Sequence, residues 1–294
     1  MPFNSCRPLS ASLRMRACSA RVFYSNGGNN MDVSNLNLSN RQIEEEHHLA
    51  NARAFLEPGK ACLMPYAVRV GKKIPGWKKT LAAHMITPRL GAEFLECELC
   101  IAPGGGAEGA VVNSYENFMF VVAGSIEVKI LGRRYALEQE GFFWTPPGAD
   151  FEVGNKSGDD ARVLWVRKKY IELNGYRVPR PVVGNVKNLD GVQSPADYEQ
   201  HCLPFDNDFG FDMAMNICTY YPGVTMPRTE THICEHCNYV ISGRGFIWIN
   251  GIYHEVFPGD AWYVAPYTPH TATGLAPAAL RYLLYKNINR EFML

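Results

Sequence analysis

Short runs in which apolar and polar residues alternate follow one another from about Lys60 to the C-terminus, with Gly and Pro between them. The run 126–130 is one example, and the corresponding run 245–249 is apolar throughout. A period of two is that of a strand with one buried face. The turn after 245–249 is Asn250-Gly251, the strongest two-residue signal for a β-hairpin. The pattern therefore predicts an all-β chain with a few short helices.

These runs occur twice, at a constant offset of 119 residues. The landmarks that recur at this spacing are Pro103 and Pro222, Gly104 and Gly223, Gly124 and Gly243, and Pro147 and Pro266. A repeat of this length indicates two copies of one β-rich unit. Short antiparallel strands at this spacing predict a jelly-roll barrel for each copy, with a ligand pocket at its mouth.

The repeat divides the chain into four parts. We assign 1–45 to an N-terminal extension, 46–174 to the first barrel, 175–204 to a Pro- and Gly-rich linker and 205–294 to the second barrel. Residues 1–30 contain four Arg and no Asp or Glu, a composition typical of an organellar transit peptide. A disordered tail, or an extension upstream of a start at Met31, explains it equally well. A transit peptide would direct the protein to the mitochondrion or another organelle; otherwise we expect it in the cytoplasm.

Composition argues against several classes of protein. Of 294 residues, 47% are hydrophobic and 20% are charged, as in a folded globular protein. Lys plus Arg and Asp plus Glu both total 29, so the chain lacks the basic excess with which nucleic-acid-binding proteins neutralise phosphates. No apolar run reaches the roughly 18 residues of a membrane-spanning helix. The nine Cys show no repeated spacing, which favours reduced intracellular thiols.

Four side chains of the second copy have the pattern of metal ligands: Glu230, His232, His236 and His270. Alternate residues of a strand share a face, so Glu230 and His232 are expected to point the same way, about 6.5 Å apart. His236 follows across a short turn, and His270 follows the strand that ends at Pro266. Imidazole and carboxylate ligands suit Mn, Fe, Zn, Co or Ni. Four such ligands leave two octahedral positions for water and substrate.

The first copy serves as an internal control for this site. The positions 119 residues earlier hold Val111, Asn113, Asn117 and Phe151. A barrel that only needed polar side chains there would be expected to have them in both copies. We therefore predict a metal site in the second barrel and none in the first, against the alternative of a polar lining without metal.

Two other features have alternative interpretations. Lys286 ends an apolar strand, and its counterpart in the first copy is Arg167. It is either a structural cation or, if directed inward, a ligand for a substrate carboxylate. Cys234 and Cys237 form a Cys-x-x-Cys pair, for which a redox or zinc role is one reading. Because the pair overlaps the His motif, we interpret it as incidental.

The two copies, with their Pro-Gly, Gly-x-Gly and Pro-Gly-Asp turns, resemble the bicupins. Glu230 precedes His232 and His236, whereas most cupins have two His before the Glu. This order resembles the (S)-ureidoglycine aminohydrolase family of allantoin breakdown. The further stretches that carry the resemblance are 203–204, 210–213 and 281–290.

The resemblance implies a function and a set of site residues. Glu230, His232 and His236 would be manganese ligands, and Tyr282 and Lys286 would contact a small ureido substrate. Hydrolysis would convert ureidoglycine to ureidoglycolate and ammonia. In the mechanism that we expect, Glu230 shuttles a proton and Lys286 fixes the substrate carboxylate. We also expect a homo-oligomer that binds neither nucleic acid nor membranes.

Two positions depart from the family. His270 stands where the family typically has Gln, and Ile247 falls where a family Tyr contacts substrate. His270 restores the three-His, one-Glu set of other cupins. Other readings therefore remain: a related substrate, a cupin oxygenase or oxidase that uses Fe or Mn, and a metal-binding bicupin without enzymatic activity.

Overall fold

The computed structural model describes residues 53–112, 114–193, 198–203, 205 and 208–286. The predicted N-terminal extension lies outside the described residues, and so do the stretch 1–30 that resembles a transit peptide and the alternative start at Met31. Asn113, Pro204 and the stretch after Lys286 also lie outside them.

The described chain is all-β, as predicted, with 21 strands and three short 3-10 helices at Tyr66–Val68, Pro88–Leu90 and Val186–Asn188. The first strands are β1 (Phe55–Glu57), β2 (Ala61–Met64), β3 (Lys72–Lys73), β4 (Trp77–Ile86), β5 (Phe94–Ala107), β6 (Tyr115–Ala123), β7 (Ser125–Ile130), β8 (Arg133–Glu138), β9 (Gly141–Thr145), β10 (Phe151–Gly154), β11 (Ala161–Lys169) and β12 (Val182–Asn185). The others are β13 (Val192–Gln193), β14 (Tyr198–Cys202), β15 (Ala214–Tyr220), β16 (His236–Ser242), β17 (Arg244–Ile249), β18 (Ile252–Val256), β19 (Ala261–Val264), β20 (His270–Leu275) and β21 (Leu280–Lys286). None of the helices in the described part is long and apolar enough to cross a membrane.

Strands β3 to β12 form the first barrel. Their sheet runs in the order β12-β9-β6-β11-β5-β10-β7-β8, and β4 pairs with β5 and β3. Alternate residues of each strand point inward, and apolar side chains fill the interior; the bulky ones are Met119, Phe143, Phe151 and Trp165. An interior packed with such large side chains is a structural core.

The second barrel is built from two sheets. The larger runs in the order β1-β2-β19-β16-β21-β15-β14-β13, and a three-stranded sheet of β18-β17-β20 completes the barrel. Its register repeats that of the first barrel. Met119 lies opposite Trp165 across β6 and β11, and Asn238 lies opposite Leu284 across β16 and β21, each 119 residues later. The repeat seen in the sequence is thus also a repeat of strand pairing.

The sheets do not end at the predicted domain boundaries. Strand β2, in the range assigned to the first barrel, pairs with β19 of the second. Within the predicted linker, β12 pairs with β9 of the first barrel, while β14 pairs with β15 of the second. Each of these segments covers a strand that would otherwise present unpaired backbone groups at a sheet edge.

The two barrels share a buried interface. One apolar cluster contains Phe118 and Trp144 of the first barrel together with Tyr263 and Tyr285 of the second. Strands β6 and β16 are buried on both faces, which explains the continuous apolar run at the end of β6.

Glu98 forms the polar centre of this interface. Its carboxylate accepts hydrogen bonds from Arg69 at 2.7 Å, from Arg162 at 2.5 Å and from the Tyr239 hydroxyl of the second barrel at 3.1 Å. A fully buried carboxylate is tolerated because these donors satisfy it.

Candidate metal centre

Three histidines meet inside the second barrel. His236 begins β16, His270 begins β20, and His232 lies in the loop before β16. The Nε2 atoms of His232 and His236 are 2.7 Å apart, and one ligand atom from each of the three residues lies within 4.8 Å of the others. Two ligands at right angles, each about 2.1 Å from one ion, would be about 3 Å apart. The geometry fits a shared metal ion.

Backbone pairing holds these rings in place. Glu230 and His270 form an isolated antiparallel bridge, with N–H to O distances of 2.9 and 3.0 Å. The Tyr267 N–H donates to the His232 carbonyl at 2.7 Å. The Nδ1 of His270 donates to the Thr268 carbonyl at 2.9 Å, which leaves Nε2 free to face the other rings.

The surroundings favour the neutral form of two of these imidazoles, those of His236 and His270. Burial lowers the pKa of His236 well below its usual value, and the nearby His270, His232 and Lys286 lower it further. Burial also lowers the pKa of His270. A neutral imidazole has a lone pair available for a cation. The Nδ1 atoms of His232 and His236 are buried and have no hydrogen-bond partner among the described residues.

Glu230 lines the same cavity, but its carboxylate is outside the three-histidine group. Its charge raises the pKa of His270, against the larger effect of burial. Residues of an antiparallel bridge pair point to the same face, which brings Glu230 beside His270. The structure therefore groups three of the four predicted ligands and places the fourth next to them.

Lys286 and Tyr282 also line the cavity. Lys286 lies directly opposite His236 in the β16–β21 pair, so the two side chains share the inward face. This placement matches the interpretation in which Lys286 is directed inward, towards a substrate carboxylate. Tyr282 lies four residues earlier on the same strand, fully buried, and its hydroxyl is hydrogen-bonded to that of Tyr220.

The cysteine pair lies outside the cavity. Cys237 follows His236 and points to the opposite face, where its thiol donates to the buried carboxylate of Glu96. Burial raises the pKa of this thiol well above its usual value. A protonated, buried thiol is neither a metal ligand nor a reactive nucleophile.

The cavity has a volume of about 220 Å³. Ile247, which departs from the family, contributes to an apolar wall on the side of β17. Sequence reasoning missed several polar residues of the lining: Tyr198, Gln200, Asn216, Tyr220 and Asn238. The repeat contains the signal for Asn216 and Asn238, because the matching residues of the first barrel, Cys97 and Met119, belong to its apolar core.

Known proteins resemble this chain over most of its length. A family model for the cupin domain matches residues 97–167 and 216–284. The (S)-ureidoglycine aminohydrolase of Escherichia coli K12 is 30% identical over 257 residues, which cover 86% of this chain and 98% of the relative. The enzyme of that name from Arabidopsis thaliana is 23% identical and covers 74% and 72%.

Solved structures agree on the fold. The crystal structure of protein Ylba from E. coli matches with a TM-score of 0.74 and 29% identity, over 83% of this chain and 97% of that one. An oxalate decarboxylase from Bacillus subtilis matches with a TM-score of 0.64 over 85% and 84%. At 13% identity, the second match supports the two-barrel fold alone.

Proposed function

This chain belongs to the (S)-ureidoglycine aminohydrolase family of bicupins, and we propose that it hydrolyses (S)-ureidoglycine to (S)-ureidoglycolate and ammonia in allantoin breakdown. The observation that carries the proposal is that three imidazoles and the ammonium of Lys286 face one small cavity. Imidazoles provide a metal site, and the ammonium provides a partner for the carboxylate of an amino-acid-like substrate.

The reaction exchanges one bond at the substrate's α-carbon. The C–N bond to the amino group breaks, a C–O bond to the oxygen of water forms, and the departing nitrogen takes up a proton. The protein must hold the substrate, hold the water and carry that proton.

We assign these tasks to residues of the cavity. Lys286 binds the substrate carboxylate, and Tyr282, four residues away on β21, packs against the bound molecule. Holding both ends of a small substrate restricts it to one orientation, which accounts for reaction of a single enantiomer. Glu230 carries the proton from water to the departing ammonia.

His232, His236 and His270 would hold the metal, with Glu230 as a further ligand. When bound, the ion supplies Lewis-acid polarisation and a fixed position for water or substrate. We propose manganese, as in the family that the sequence resembles. The same donors accept Fe, Zn, Co or Ni. Histidine is itself a metal ligand, and His270 in place of the family's Gln therefore leaves the ligand set complete.

Two assays on the purified protein separate this proposal from an oxygenase or oxidase. With freshly generated ureidoglycine, we expect ammonia release and no oxygen uptake. Oxygen uptake without ammonia would favour an oxygenase, and neither signal would favour a binding protein. A Glu230→Gln variant that keeps its metal should lose most of its turnover, and full turnover in that variant would remove the proton-carrying role.

We further propose that the protein is a homo-oligomer, located in the cytoplasm or, if residues 1–30 act as a transit peptide, in an organelle. Ile252 and Tyr253, at the start of β18, are more than half exposed and offer an apolar surface for self-association. Sedimentation analysis checks the first point, and imaging of the tagged full chain checks the second.

A further inference from the structure

Two carboxamides line the cavity in addition to the residues assigned above. Asn238 on β16 is 4% exposed, and Asn216 on β15 is 2% exposed. Both lie directly opposite Leu284 of β21, one on each side. The three residues therefore form one row across the sheet, and all three face the cavity.

The first barrel shows what this row contains where the interior is an apolar core. Met119 and Cys97 occupy the matching positions, opposite Trp165, and all three belong to an apolar core. Burying an amide costs more free energy than burying an apolar side chain of similar size. The second barrel carries two amides at positions where apolar side chains complete the same fold, so packing does not explain them.

The position of Asn238 relates it to the metal centre. It lies two residues after His236 on one strand, about 6.5 Å farther along the same face. It is also the diagonal neighbour of Lys286 across the β16–β21 pair, at a typical Cβ separation of about 7–8 Å. A small molecule whose carboxylate meets Lys286 can therefore reach Asn238 with its other end.

A carboxamide offers one acceptor oxygen and two N–H donors. Its complement is a group with a carbonyl oxygen and an NH2 side by side, as in a primary amide or a urea. We propose that Asn238 binds the carbamoyl end of the substrate and selects ureido compounds, with Asn216 in the same row as a second polar contact. This assignment rests on the proposed function, since it identifies the part of ureidoglycine that Lys286 does not hold.

The test uses two stable ligands that differ at one group. N-carbamoylglycine carries the terminal NH2, and N-acetylglycine carries a methyl group in its place. Binding of each to the manganese-loaded protein is measured by calorimetry. We expect the wild type to bind the carbamoyl ligand about tenfold more tightly, the effect of one hydrogen bond of about 1.4 kcal/mol.

The variants are Asn238→Leu, which keeps the approximate size, and Asn238→Ala, which is small enough to fold if Leu does not fit. Both should bind the two ligands within about twofold of each other. Leu284→Met, in the same row but without a hydrogen-bonding group, is the matched control and should keep the preference. Metal content and thermal unfolding establish that each variant is loaded and folded.

The outcomes distinguish this assignment from the proposed reaction. If Asn238→Leu and Asn238→Ala keep the tenfold preference, or the wild type has none, the role of Asn238 is wrong. If the preference is present and lost as expected but the wild type releases no ammonia from ureidoglycine, the reaction is wrong and carbamoyl recognition stands.

Discussion

At the scale of single residues, the two copies use one position in two ways. Lys286 faces the cavity opposite His236. Its counterpart Arg167 lies over the rings of Tyr115 and Trp165, at 4.9 Å from each. A cation packed on aromatic rings has a structural role, whereas one that faces a cavity is available to a ligand.

Replacement of Lys286 should therefore affect substrate binding. We expect Lys286→Met to raise KM about 10- to 100-fold, because a hydrogen bond to a charged group contributes about 1.5–3 kcal/mol. Steady-state kinetics of ammonia release measures this effect. The matched variant Arg167→Met should change the unfolding temperature and leave KM near the wild-type value. Equal KM values for Lys286→Met and wild type would exclude the carboxylate contact.

Glu96 gives a pH-dependent prediction. Burial raises its pKa to about 7, against the lowering effects of the Cys237 hydrogen bond and of Arg69, while Glu98 raises it further. The folded-state pKa exceeds the unfolded value of about 4.5, so folding is favoured with the carboxyl protonated. This contribution to stability is complete below about pH 4.5 and is lost as the pH rises through about 7.

The wild type should therefore lose up to about 3 kcal/mol of unfolding free energy between pH 5 and pH 8 because of Glu96. Glu96→Gln has no carboxyl group at this position and should not show this loss. Chemical unfolding at both pH values measures the difference. Part of the wild-type pH dependence should remain, because burial also raises the pKa of Glu235 to about 7. Identical pH profiles for variant and wild type would contradict this account of Glu96.

At the scale of elements, the turn between β16 and β17 is the tightest constraint on the second barrel. Gly243 has a φ of +72°, and a Cβ there would lie 1.8 Å from the Ala279 carbonyl oxygen. Gly251, in the hairpin between β17 and β18, has a φ of +94° but open space around it. Both positions favour glycine by conformation, but only Gly243 also requires it for space.

Alanine substitutions at these two turns should differ in effect. Gly251→Ala should cost about 1 kcal/mol, the penalty for a left-handed residue. Gly243→Ala adds a backbone clash and should cost at least about 3 kcal/mol. Urea unfolding of the two variants measures both values. Equal losses would mean that the turn moves away from Ala279 without cost.

The sequence predicts the strands better than it predicts which strands pair with each other. The alternation of apolar and polar residues predicts the strands, because it depends only on neighbouring residues. The 119-residue repeat predicts that the strands of the two barrels pair in equivalent registers. They do not predict that β2 joins the second barrel, because the partner of a strand is set by edges far away in the chain. The histidines were found because their spacing is that of ligands. A single buried residue such as Asn238 has no such spacing, and only the comparison with Met119 reveals it.

At the scale of the whole molecule, two features join the barrels. Strand β2, from the range assigned to the first barrel, pairs with β19 of the second, and Glu98 of the first barrel accepts a hydrogen bond from Tyr239 of the second. We expect Glu98→Ala to lower the free energy of unfolding by about 3–5 kcal/mol, because Arg69 would remain buried without its partner. The control is Glu152→Ala, which removes an exposed pair with Lys129 and should cost about 1 kcal/mol or less. Similar losses in the two variants would mean that Glu98 adds nothing beyond a surface pair.

In the proposed reaction, one metal ion, held by the second barrel alone, is required for ammonia release. The most direct measurement is a titration of metal-depleted protein with manganese, in which bound metal per chain and ammonia release from ureidoglycine are followed together. We predict that both rise in parallel and reach a plateau at one ion per chain, and that His236→Ala binds none. Full activity in the depleted protein, or a plateau at two ions per chain, would contradict the account.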